Sequence, residues 1–107
     1  MTDGSTWLAP WSPVDDTAQC GALERQLSAE IAPGHVLTGH AVRLIARRDD
    51  TDDALFQLDD GRVAEVHMTW RRSRETDPRW PAAAIFTSLE QWAGESMKPL
   101  HDEMSEF

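Results

Sequence analysis

Two alternating apolar runs joined by Asp59-Asp60-Gly61 constrain this chain more than any other feature, because they admit a single strand register. Successive side chains of a strand point to opposite faces, so a one-residue slip exchanges the two faces completely. A three-residue turn with Gly61 left-handed pairs Leu58 with Arg62, Phe56 with Ala64 and Ala54 with Val66. A two-residue Asp60-Gly61 turn opposes Gln57 to Ala64 and leaves Phe56 outside. The glycine-bulge hairpin is therefore expected, with Ala54, Phe56, Leu58, Ala64, Val66, Met68 and Trp70 facing a core. A preceding strand, His40 to Arg47, adds Val42, Leu44 and Ala46 to that face. The second face carries Ile45, Leu55, Val63, Glu65, His67 and Thr69, a mixture that calls for partial cover.

Helical spacing brackets this meander. Cys20, Leu23, Leu27 and Ile31 recur at steps of three and four, with Glu24, Arg25, Ser28 and Glu30 assigned to solvent. Ser12, Pro13 and Asp15 form a start signal, Asp16 is a competing cap, and Pro33-Gly34 ends the helix. A short fourth strand is expected at Ala83 to Phe86. Thr87 with Glu90 then opens a second amphipathic helix, carrying Leu89, Trp92, Ala93 and Met97, which Pro99 stops or kinks. The expected fold is α+β: an N-terminal helix, a three- to four-stranded antiparallel β-meander and a C-terminal helix, in a single domain over residues 1–107. Residues 1–11, with Trp7, Leu8 and Trp11, read as an arm docked on the edge of the core, or alternatively as a partner anchor. Residues 71–82 read as a long surface loop and 100–107 as a frayed tail.

Charge narrows the function classes. Ten Lys plus Arg against 19 Asp plus Glu leave a net charge of -9, which repels a phosphate backbone, so no nucleic-acid partner is expected. No apolar run approaches the ~20 residues that span a bilayer, and the first residues lack a charged segment followed by an apolar one. A cytoplasmic location without membrane association is expected. Nine of the ten basic residues are Arg, a composition that resembles proteins of GC-rich bacteria.

Chemistry-bearing motifs are scarce. The acidic stretch Asp49, Asp50, Asp52, Asp53, Asp59 and Asp60 fits no calcium loop, and Arg47, Arg48 and Arg62 account for it as paired hairpin turns. His40 falls opposite in parity to His67 and Glu65, so no metal set is expected from them. The lone Cys20 reads as a small buried apolar residue, and no nucleophile elbow or phosphate loop occurs. No catalytic residue, metal or cofactor is therefore assigned. Glu65 with His67 is the polar pair on which a hydrolase would have to be built. The most distinctive local feature is the arginine loop, in which Arg71, Arg72, Arg74 and Arg79 lie between Trp70 and Trp80, a pairing enriched at recognition surfaces.

The combination Gly34-His35-Val36-Leu37-x-Gly39, Ala46-Arg47-Arg48, Asp52-Asp53-x-Leu55-Phe56, Asp60-Gly61-Arg62, Val66-His67-Met68-Thr69-Trp70 and Trp80-Pro81 with Phe86 and Trp92 resembles a group of small bacterial proteins. The resemblance spans roughly residues 20 to 102. It implies a module that stands alone and carries over no catalytic residue. The functional expectation is a non-enzymatic binding or protein-interaction module with a protein partner or self-association, through the second sheet face or the Trp70 to Trp80 loop. A small hydrolase using His67 with a nearby carboxylate is the alternative, and an acidic immunity- or inhibitor-type protein the third reading.

Overall fold

The computed structural model describes residues 7–70, 77 and 80–104. Its centre is one antiparallel sheet of five strands in sequential order: β1 (Trp11–Pro13), β2 (Val42–Arg48), β3 (Asp53–Leu58), β4 (Val63–His67) and β5 (Ala83–Phe86). Helix α1 (Thr17–Glu30) packs on one face. A C-terminal helical segment covers the other: α2 (Leu89–Trp92), a π-helical turn (Ala93–Met97) and α3 (Lys98–Met104). The chain is α+β, with one strand more than the three to four expected. No described helix is long and apolar enough to cross a membrane.

The additional strand is β1. Trp11, Ser12 and Pro13 pair with Arg48, Arg47 and Ala46, so Ser12-Pro13 is edge strand and not a helix start. Proline is tolerated there because an edge strand needs no donor on its open side. Asp16 caps α1 instead, its Oδ1 accepting from the N–H groups of Ala18 at 2.9 Å and Gln19 at 3.2 Å.

The hairpin forms in the expected register. Phe56 opposes Ala64, Ala54 opposes Val66, Leu58 N–H donates to Arg62 O, and Gly61 holds φ at 91°. Leu23 and Leu27 meet Phe56, Leu58, Ala64, Val66 and Met68 to form the first core. The expected alternation of β2 fails at one point. A β-bulge between Leu44 and Ala46 inserts an unpaired residue and reverses parity, so Leu44 faces α1 while Ala46 joins the opposite core. Glu24 takes up the Leu44 N–H at 3.0 Å.

That opposite core corrects the reading of the second face as an interaction surface. Leu55 and Val63 are fully buried beneath Trp11, Trp92 and Met97, with Trp7, Leu8, Phe86 and Leu100 packed around them. The Trp11 ring meets Trp92 edge-on at 5.0 Å and Trp7 lies 5.8 Å from Trp92. The cap of the C-terminal segment is Ser88, one residue later than expected, with Gln91 reaching back to Thr87. Pro99 does not end the helix, because the wider turn at Ala93–Met97 has already broken the regular hydrogen-bond ladder. Where a tail from residue 100 was the expectation, α3 runs to Met104, with Leu100 against the core and His101 Nδ1 2.8 Å from Ala9 O.

Candidate functional site

The last turn of α1 carries the most heavily bonded polar side chain of the described structure. Glu30, assigned to solvent by its charge, is 0% exposed. Its Oε1 accepts from Thr69 N–H at 3.1 Å and Thr69 Oγ1 at 2.7 Å, and its Oε2 from Trp70 N–H at 3.1 Å and Gln26 Nε2 at 2.7 Å. Every partner donates, so the carboxylate is saturated as an acceptor, which is what burial of such a group demands. Positions 23, 27 and 30 are spaced i, i+4, i+7, so the helical period itself places Glu30 on the buried stripe.

His35 is the second buried polar residue, at 4% exposed. Nδ1 accepts from Leu37 N–H at 3.0 Å, which leaves the proton on Nε2, and Nε2 donates to Pro81 O at 2.8 Å. Glu30 therefore fastens the chain at Trp70 and His35 fastens it at Pro81, the two ends of the 71–79 segment. Arg71, Arg72, Arg74 and Arg79 of the arginine loop lie outside the described residues.

Next in sequence to the fastened residues, apolar side chains stand in water. Trp70 is 41% exposed, Trp80 46% and Val36 52%. Trp70 does not continue the strand pattern: its φ of 58° is left-handed, a conformation that costs a bulky residue about 1 kcal/mol and persists only when its surroundings fix it. The Glu30 bond to Trp70 N–H supplies that fixation. The Arg47 guanidinium lies 5.8 Å from the Trp70 ring centre, and Arg47 Nε is buried without a hydrogen-bond partner.

Glu65 and His67 do not share a site. Glu65 Oε1 accepts from Trp92 Nε1 at 2.8 Å and Ser96 Oγ at 2.6 Å, so it holds the C-terminal segment to the sheet. The signal for this role was Trp92 itself, since a buried indole N–H usually finds an acceptor. His67 projects into solvent with Nδ1 2.9 Å from Asp53 Oδ1. Grooves of about 560 Å³ beside Ser12, Gln19 and Arg47 and about 440 Å³ beside Cys20 and Glu24 contain neither residue.

The acidic turns are internally paired. Arg48 bonds Asp50 at 2.7 and 2.9 Å and approaches Asp53 at 3.5 Å, while Arg62 bonds Asp60 at 2.8 Å. The Arg48 hydrogen bond holds the Asp50 carboxyl below its ordinary range, and the Arg62 backbone and side-chain bonds do the same for Asp60. His40 lies 2.9 Å from Asp59 and lowers it likewise. His40, Asp59 and Asp60 are the described residues close enough together to hold an ion, but they sit at the surface and Arg62 already donates toward both Asp60 and His40. Burial, then Glu24, Asp16 and Asp15, raise the Cys20 thiol, which makes it a poor nucleophile. Comparison with protein-family models, curated proteins and solved structures gives no match, so the site stands on its own geometry.

Proposed function

We propose that this chain is a non-enzymatic protein-interaction module that recognises its partner through the segment bounded by Trp70 and Trp80. One observation carries the reading: two large aromatic side chains stand in water while Glu30 and His35, the buried polar residues among those described, hold the backbone beside each of them. Tryptophan and arginine are enriched at binding hot spots, and a rigidly held aromatic loses little entropy on docking. The four arginines of 71–79 give the segment a positive charge in a chain of net charge -9, which fits an acidic protein partner. The resemblance to small stand-alone bacterial proteins agrees with this reading, as does a cytoplasmic setting. Nucleic acid and membranes are not proposed as partners.

The hydrolase alternative has weaker support, since Glu65 is occupied by Trp92 and Ser96 and the His67 to Asp53 pair lies on open surface. The acidic-inhibitor reading draws on the net charge alone. The test is affinity capture on the immobilised protein, followed by titration of each captured partner against Arg72→Glu/Trp80→Ala. Affinity falling by about tenfold or more supports the segment. Unchanged affinity for every partner removes it.

A further inference from the structure

The two edges of the sheet differ in what they offer. On β1 the outward-facing positions are Trp11 and Pro13, because Pro10, Ser12 and Val14 turn toward β2, with Asp49 N–H donating to Pro10 O and Val14 N–H to Ile45 O. Trp11 N–H donates to Leu8 O and proline has no N–H, so this edge presents no free donor. On β5 the His67 N–H bond to Ala82 O sets the alternation: Ala82, Ala84 and Phe86 turn toward β4, and Ala83 and Ile85 turn outward. Neither of those two N–H groups has a partner among the described residues.

The open stretch is also bounded symmetrically. At the next outward positions, Pro81 lacks an N–H and its carbonyl accepts from His35, and Thr87 N–H donates to Gln91 Oε1. What remains is a pair of residues placed evenly about Ala84. An antiparallel copy centred there brings Ala83 opposite Ile85 of the second copy, and the two-fold axis repeats the pair, giving four backbone hydrogen bonds. Ala82 and Ala84 are small and exposed, so neither obstructs the seam. Charge selects the occupant. Residues 80–89 carry no ionisable side chain, so a second chain of net charge -9 meets less repulsion here than along the acidic turns at 49–53 and 59–60.

We infer that β5 pairs antiparallel with β5 of a second copy, two-fold at Ala84, joining two sheets into one of ten strands. This does not rest on the partner-binding reading, although Trp80 lies next to the seam. The interface is small, so the dimer is weak and concentration-dependent. Sedimentation velocity from micromolar to millimolar protein is expected to move from the 12.0 kDa chain mass toward twice that value. Ala84→Glu and Ala84→Lys, each placing like charges across the axis, are expected to weaken association by about tenfold. Mixing the two variants is expected to restore it. Ala83→Pro removes an outward donor without touching the β4 ladder and is expected to abolish it. Wild-type protein that stays monomeric throughout overturns the proposal, as does a dimer indifferent to Ala83→Pro or a charge pair that fails to recombine.

Discussion

Trp7, Trp11 and Trp92 interlock on one face of the sheet, whereas Trp70 and Trp80 stand in water at the C-terminal end of α1. The same side chain is used for cohesion in one region and presented in the other. Trp92 and Trp70 differ in what their polar neighbour holds. Trp92 gives its indole N–H to Glu65 and is sealed beneath Trp11, while Glu30 takes the Trp70 backbone N–H, His35 bonds the Pro81 carbonyl, and the Trp70 and Trp80 rings stay exposed. Trp11 is buried by apolar packing alone, its Nε1 without a hydrogen-bond partner, so a polar neighbour distinguishes Trp92 from the exposed pair and apolar cover distinguishes Trp11.

The contrast is broken most severely by removing its buried member. Trp92→Ala is expected to cost about 3–5 kcal/mol in urea unfolding, by opening a cavity beneath Trp7 and Trp11 and stranding Glu65. A loss below about 1 kcal/mol would mean that this face is not a true second core. Glu30→Gln comes next, because an amide replaces one acceptor oxygen where only donors are met, at an expected cost of about 1–3 kcal/mol. Hydrogen exchange at the Thr69 and Trp70 amides should accelerate with it, and unaltered protection would detach Glu30 from the presentation of Trp70.

Much of this arrangement was legible in the chain and part was not. The hairpin could be derived because period-two alternation and Gly61 jointly exclude other registers, and β5 followed from its short apolar run. The bulge at β2 could not, since an inserted residue needs no special side chain. Strand β1 is only three residues long, and its Ser12-Pro13 imitates a helix start. Glu30 was assigned to solvent for its charge, although 23, 27 and 30 already share a helical stripe, and no structural role was read for His35. Trp80 was found from composition, as an aromatic beside arginines in a segment without periodicity, whereas the strand alternation had also placed Trp70 on the core face, from which its left-handed backbone removes it.

Smaller effects sharpen the same comparison. Trp80→Ala is expected to change stability by no more than about 0.5 kcal/mol while weakening partner binding, the reverse of Trp92→Ala. A stability loss comparable with that of Trp92→Ala would erase the distinction. The acidic turns lie outside both tryptophan regions and should matter least. Asp50, Asp59 and Asp60 have folded pKa values below their unfolded ones, so their contribution is present above the unfolded value and disappears as pH falls through the depressed folded values. Unfolding followed below about pH 4 should show a shallow loss of stability that Asp59→Asn makes shallower still. An acid limb unchanged in that variant would remove the His40 to Asp59 pair from the balance.

The claim that the exposed tryptophans serve recognition and the buried ones cohesion is tested most directly by titrating a captured partner against Trp70→Ala/Trp80→Ala at a matched urea midpoint. Affinity weaker by about tenfold or more is the predicted result. Full affinity in a variant that remains folded would contradict it.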